Sequence, residues 1–151
     1  MRGAVAWVLA TATFAASATG ATSADILLPY IVTVDRVETP LGGQSGDAIR
    51  GERLVRDRER GNCLICHQIP VPAERFQGDL GPPLAGVGSR LSIGQLRLRL
   101  IDQTRINPDT IMPAYYRIEG LVRVAPRYLG QPALTAAEIE DVIAWLVTLK
   151  E

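Results

Sequence analysis

Side chains that hold metals and cofactors are scarce in this sequence. Its 151 residues contain one histidine, His67, two cysteines, Cys63 and Cys66, and two methionines, Met1 and Met112. Three nitrogen and sulfur ligands fall short of the four of a structural zinc site, so zinc would need a carboxylate as well. Lys150 is the only lysine. A lysine-ringed docking face is therefore excluded, and any positive docking surface must be built from arginine, which also suits desolvated ion pairs at a lasting interface. Formal net charge is zero, which gives no reason to expect a nucleic-acid partner. No internal repeat or low-complexity tract is present. Hydrophobic content of 47% and charged content of 21% are those of a globular chain, and the length suits one domain.

The amino terminus, "MRGAVAWVLATATFAASATGATSAD", reads as an export leader. Arg2 is a short positive start, Ala4 to Ala16 is apolar, and small residues follow. The competing reading is a membrane anchor, but the run is shorter than the ~18–20 residues of a spanning helix. Residues 1–24 are expected to be a signal peptide cut after Ala24, with a cut after Ala18 as the alternative. Export implies an oxidising compartment, the periplasm in a bacterium. Loss of Arg2 with the leader leaves 15 basic and 16 acidic residues, a net charge of −1.

Residues 25–45 combine the β-branched "ILLPYIVTVDRV" with the loop-like "TPLGGQSG". They read as an N-terminal arm wrapped on the domain or on a partner, leaving 46–151 as the domain proper. A first helix is expected over Asp47 to Arg60, with Asp47 as N-cap and Ile49, Leu54 and Val55 on its apolar face. Gly51 within it costs about 1 kcal/mol against alanine and so marks close helix packing. Gly61 stops the helix, and Val71 to Gly88 is loop. "LSIGQLRLRLIDQTRI" reads as a second helix with Leu96, Leu100 and Ile101 on one face. Pro108 and Pro113 keep "INPDTIMPAYYR" irregular. "LTAAEIEDVIAWLVTLK" carries a capping box at Thr135 and Glu138. Ile139, Val142, Ile143, Leu146 and Leu149 then recur at helical spacing. The fold class is all-α, with long loops that need something to pack on.

Both cysteines and the histidine fall in "GNCLICHQIP". Cys-x-x-Cys-His is the attachment signature of c-type haem. Two thiols three positions apart on a helical turn can each form a thioether to one vinyl group, and the next residue points its imidazole at the iron. A redox cysteine pair wants a βαβ context, which this chain lacks. A plain structural disulfide is the simpler alternative in an exported protein. The pattern favours one covalent haem c with His67 as the proximal ligand.

The other axial ligand follows by elimination. Low-spin haem takes chiefly His or Met, more rarely Lys or Cys. Both cysteines and the only histidine are used. Once the leader is gone Met112 is the only methionine, and Lys150 lies at the end of a helix beside the carboxyl terminus. Met112, in a proline-bracketed loop, is the candidate; an open site or a water is the alternative, and core packing is the competing role for its side chain. A thioether ligand favours ferrous iron and raises the potential.

"CLICH", "GPPLAGVGSR" and "IMPAYY", in that order before a C-terminal amphipathic helix, resemble the class I cytochromes c. The resemblance implies that the carbonyl of Pro82 accepts the Nδ1–H of His67, and that Arg90 contacts a haem propionate. An ordinary loop proline and a solvated charge are the alternatives. It also implies that the first and last helices cross near the haem edge, with Gly51 permitting the approach and Trp145 covering the porphyrin. Of Tyr115 and Tyr116, one is expected to line the pocket and the other to face a partner.

Over residues 47–151 the runs "RFQGDL", "QLRLRL", "NPDTIMPAYYR" and "GLVRVA" resemble the SoxX subunits of SoxXA cytochromes. That resemblance implies an electron-accepting subunit paired with a SoxA-type dihaem or monohaem cytochrome in periplasmic thiosulfate oxidation. Such a complex, an L-cysteine S-thiosulfotransferase, couples a thiosulfate sulfur to a cysteine of the SoxYZ carrier protein and passes electrons to a soluble cytochrome c. The resemblance also implies that the sulfur chemistry lies on SoxA, and this chain, with both cysteines taken by haem attachment, agrees with that division of labour. The alternatives are a free-standing periplasmic electron-shuttle cytochrome and an exported domain without haem.

Overall fold

The computed structural model describes residues 27–151; the leader read over 1–24 lies outside them. Among the described residues four α-helices form, α1 Ala48–Arg56, α2 Val87–Arg90, α3 Ile93–Asp102 and α4 Ala136–Leu146, with single 3-10 turns in the loops around them. Among the described residues the only β pairing is an isolated bridge between Thr33 and Arg36. The fold is all-α, as expected.

The three longer helices, α1, α3 and α4, each start on a side chain that takes an end group. The Asp47 carboxylate accepts from Arg50 N at 2.8 Å and starts α1. α1 ends at Arg56, short of the expected Arg60, because the Asp57 carboxylate accepts from Glu59 N at 2.8 Å and Arg60 N at 3.1 Å. These N–H groups turn to a side chain instead of extending the helix. α3 opens on a Ser92–Gln95 capping box and ends where the Asp102 carboxylate captures Thr104 N at 3.1 Å. Beyond it only a 3-10 turn, Gln103–Arg105, continues toward the expected end at Ile106. The capping box at Thr135 and Glu138 starts α4. The single turn α2 lies partly in the stretch expected to be loop.

Helix α1 packs on α4 with backbone against backbone. A Cβ at Gly51 would overlap the Asp141 carbonyl, and one at Gly46 would overlap that of Glu140. Gly51 thus allows the close approach its position suggested. Val55 of α1 is buried with Ile139, Val142, Ile143 and Leu146 of α4, whereas Ile49, expected on the apolar face, is exposed. The Asp141 carboxylate ties the two helices further. It accepts from Asp47 N at 2.6 Å and from Arg50 Nε at 2.7 Å and Nη2 at 2.8 Å.

The neighbouring acid, Glu140, points to a different partner. Its carboxylate meets Arg97 of α3 side by side, at 2.7 Å and 2.9 Å. Arg97 is only 2% exposed. Its Nη1 donates to Val37 O at 2.6 Å and Glu38 O at 3.0 Å, while Leu41 N donates to Glu140 Oε1 at 2.9 Å. Val37 N also donates to Gly94 O at 3.0 Å. Residues 37–41 are therefore held between α3 and α4, with Val37 and Leu41 buried in the core.

Removing one member of a buried ion pair leaves the other uncompensated, a cost of about 3–5 kcal/mol. Glu140→Ala is expected to lose that much stability in denaturant unfolding and to open residues 36–41 to limited proteolysis. Wild-type stability together with wild-type protection would contradict the role given to this pair.

Candidate haem site

The attachment segment leaves α1 through a tight reversal. Gly61 packs against the Leu54 carbonyl too closely for a side chain, and its own carbonyl accepts from the buried Tyr115 hydroxyl at 2.8 Å. Asn62 adopts the left-handed conformation at φ 49°, which asparagine tolerates better than most residues. A 3-10 turn then spans Cys63–Ile65. Cys66 N and His67 N both donate to Cys63 O, at 3.1 and 2.9 Å. The turn sends Leu64 into the core, while Cys63, Cys66 and His67 line a cavity. Both sulfurs stand where the thioethers of a c-type site would form, and they are not joined to each other. Burial pushes the Cys63 thiol up to about 11. Burial, and then the neighbouring thiols, push the Tyr115 hydroxyl up as well.

His67 is oriented by the loop before α2. Gly78 N donates to Leu64 O at 2.7 Å, Gly81 N to Cys66 O at 2.8 Å and Leu84 N to Gln68 O at 2.8 Å. This pairing brings Pro82 O to 2.7 Å from His67 Nδ1. A carbonyl can only accept, so the proton sits on Nδ1 and the Nε2 lone pair is free for a metal. Gly81 lies flat on the imidazole: a Cβ there would stand 2.7 Å from Nδ1 and 2.9 Å from Nε2. Gly81 covers one face of the ring, and the bond to Pro82 O sets its orientation.

Met112 reaches the same cavity from a loop closed on itself and on α3. Thr110 N donates to Asn107 O at 3.2 Å, and Met112 N to Thr110 Oγ1 at 3.1 Å. Tyr115 N and Tyr116 N then pair with Leu100 O and Ile101 O at the end of α3. The cavity measures about 840 Å³, and Val55, Leu96, Leu100, Val142 and Leu146 give it an apolar helical wall. That volume lies within the ~300–1,000 Å³ of small-molecule and cofactor sites. Two buried polar atoms at its edge, Gln103 Oε1 and Arg117 Nε, have no hydrogen-bond partner among the described residues. Two thiols, an imidazole with a free Nε2, a thioether and apolar walls fit a haem c.

Of the residues singled out from the sequence, Cys63, Cys66, His67, Pro82 and Met112 line this one cavity. Arg90 is not in its lining. Its guanidinium donates to Ala85 O at 2.5 Å and Pro83 O at 2.9 Å, so it braces the loop that carries Pro82. Trp145 does not line the cavity either. It is buried, with its Cβ 3.0 Å from where a Gly51 side chain would begin, and Val142 and Leu146 form the α4 wall instead. Tyr115 lines the pocket as one of the pair was expected to. Tyr116, expected to face a partner, is 1% exposed, and its hydroxyl accepts from Leu28 N at 2.8 Å. Gly81, Arg99, Gln103 and Arg117 had not been singled out as site residues. Only Gly81 had a signal, its place before the proline that orients the histidine.

A helical fold wrapped on a cavity that carries Cys-x-x-Cys-His and a methionine defines the class: this is a class I c-type cytochrome. No family model matches the chain, nor does any curated protein. Among solved structures, SoxXA from P. pantotrophus contains a chain 38% identical to this one, with a TM-score of 0.75. The match covers 81% of this chain and 95% of that one. Ferric cytochrome c-550 from Paracoccus versutus matches at 17% identity with a TM-score of 0.40, over 71% of this chain and all of that one. The chain belongs to the SoxX family of class I c-type cytochromes.

Gly81→Ala forces a methyl group into the histidine ring, an overpacking change that costs about 1–3 kcal/mol. The haem-loaded variant is expected to unfold at correspondingly lower denaturant. An unchanged midpoint would show that the loop can retreat from the ring.

Proposed function

We propose that this chain is the monohaem, electron-accepting subunit of a periplasmic SoxXA-type complex. The observation that carries the proposal is the convergence of Cys63, Cys66, His67 and Met112 on one cavity, in a chain 38% identical to a SoxXA component. One haem c is held covalently through Cys63 and Cys66, with His67 and Met112 as axial ligands. When bound, it supplies a one-electron ferric/ferrous couple. The protein's own residues set the conditions. Pro82 fixes the histidine tautomer and makes it a better ligand. The Thr110 turn presents the Met112 thioether. The apolar walls keep water from both ligands.

The partners follow from the chemistry this chain lacks. No cysteine remains to act as a sulfur nucleophile, so coupling thiosulfate to a SoxYZ cysteine falls to a SoxA-type subunit. The complex as a whole is the L-cysteine S-thiosulfotransferase. This chain takes up the electrons released and passes them to a soluble cytochrome c. Residues 1–24 direct export, 25–45 form the arm and 46–151 the cytochrome domain. Among the described residues no helix is long and apolar enough to cross a membrane. A lasting partner is supported by Ile31 and Val34 on the arm and Leu129 beyond the ligand loop, apolar side chains left largely exposed.

The purified protein should keep its haem through acid-acetone extraction. Met112→Ala should abolish the far-red methionine-to-ferric-iron charge-transfer band and lower the reduction potential. A tenfold shift toward ferric corresponds to about 59 mV. A surviving band would overturn the ligand assignment. The exported chain should co-purify with a SoxA-type subunit; a chain that stays monomeric beside that subunit would be a free shuttle instead.

A further inference from the structure

The cavity wall carries several arginines, and their partners differ. Arg60 pairs with Glu138 at 2.6 Å and Arg117 with Asp102 at 3.0 Å. Arg127 lies over the Tyr128 ring, 5.0 Å from its centroid, and Arg58, exposed, donates to Phe76 O at 2.8 Å. Arg99 stands apart. It projects from α3 between Leu96 and Leu100, both of which line the cavity with it, and it is half-buried. Its one hydrogen bond runs from Nη1 to Gln95 O at 3.0 Å, the carbonyl one turn back on its own helix. Among the described residues no carboxylate forms an ion pair with it.

A guanidinium has five N–H donors in a planar fork and cannot shed its charge. Holding one half-buried against apolar walls without a counter-charge is costly. A ligand that brings an anion to this wall removes the cost. Haem does so, because its periphery carries two propionate carboxylates, and arginine binds a carboxylate with two parallel hydrogen bonds. Arg90 is placed differently: it is not in the cavity lining, and it has a carboxylate nearby, Glu151 at 3.6 Å, besides its bonds to Ala85 O and Pro83 O.

We propose that Arg99, and not Arg90, is the arginine that binds a haem propionate. The assignment rests on covalent haem occupying the cavity. Paired there, the Arg99 cation would offset the propionate's negative charge, which otherwise favours ferric iron, so it would raise the reduction potential. The test uses the full haem-loaded protein. Spectroelectrochemical titration of Arg99→Gln should move the electron equilibrium several-fold toward ferric. Arg99→Lys should keep most of the wild-type value, and Arg58→Gln, at an exposed arginine of the same wall, should stay within twofold of it. In the reduced wild-type protein, nuclear Overhauser contacts should join the propionate methylene protons to the Arg99 side chain. Haem lost in acid-acetone extraction would sink the haem reading itself. Haem retained with an unmoved potential in Arg99→Gln, or propionate contacts to Arg90 in its place, would overturn this proposal alone. If Arg99→Gln fails to mature, the wild-type contacts decide.

Discussion

The crossing of α1 over α4 is the constraint on which the rest of the molecule depends. Gly46 and Gly51 let the backbone of one element lie on the carbonyls of Glu140 and Asp141. A single methyl group at either position would push them apart. Because they touch, Val55 from α1 and Val142 and Leu146 from α4 share one wall of the cavity. The same crossing sets where the two consecutive acids of α4 point. Asp141 secures the start of α1, while Glu140 turns to α3 and the arm. Two adjacent side chains thereby position three different segments.

Helices and loops divide the labour at the site. The helices supply apolar wall and Arg99; every proposed iron ligand and thioether anchor comes from a loop or a single 3-10 turn. Loops hold such groups steadily only when their backbone groups are paired. The segment after the histidine pairs with the attachment turn, the Thr110 turn pairs within itself, and residues 115–116 pair with the end of α3. Oriented donors on a scaffold without regular structure follow from those bonds. Arg97 and Glu140 lie buried on the side where the arm packs, so the fold satisfies its most costly charges against its own chain.

The sequence disclosed the features that act locally. Helix caps at Asp47 and Thr135 were legible because a cap is written within four residues. Gly51 was legible because glycine inside a helix needs a reason. The haem attachment motif is contiguous, and Met112 emerged because the chain has so few alternatives. Features that depend on distant partners stayed hidden. Arg97 alternates with leucines in "LRLRL" and looks like a solvated charge until Glu140, 43 positions away, is seen against it. Arg99, two residues on, has the same local signature and a different fate. Trp145 was expected over the haem, and one of Tyr115 and Tyr116 at a partner, because large aromatics suit both. The helix crossing claims Trp145, and Leu28 reaches the Tyr116 hydroxyl. The bonds of Arg90 were hidden too, because a motif fixes which residue is present and not which carbonyls its donors will find.

The pairing beside the histidine has a further consequence. Its bonds join Leu64 to Gly78, Cys66 to Gly81 and Leu84 to Gln68. For every two residues advanced along the attachment turn, the facing loop advances three. The two stretches mesh like gears of unequal pitch, which is why neither is a strand although each bonds to the other. A gear train tolerates no added tooth. Lengthening or shortening the stretch 78–84 by one residue would carry the Pro82 carbonyl past the imidazole and turn the ring. A stretch that belongs to no strand and almost no helix thus serves as the ruler of the site, its length fixed as strictly as that of any helix.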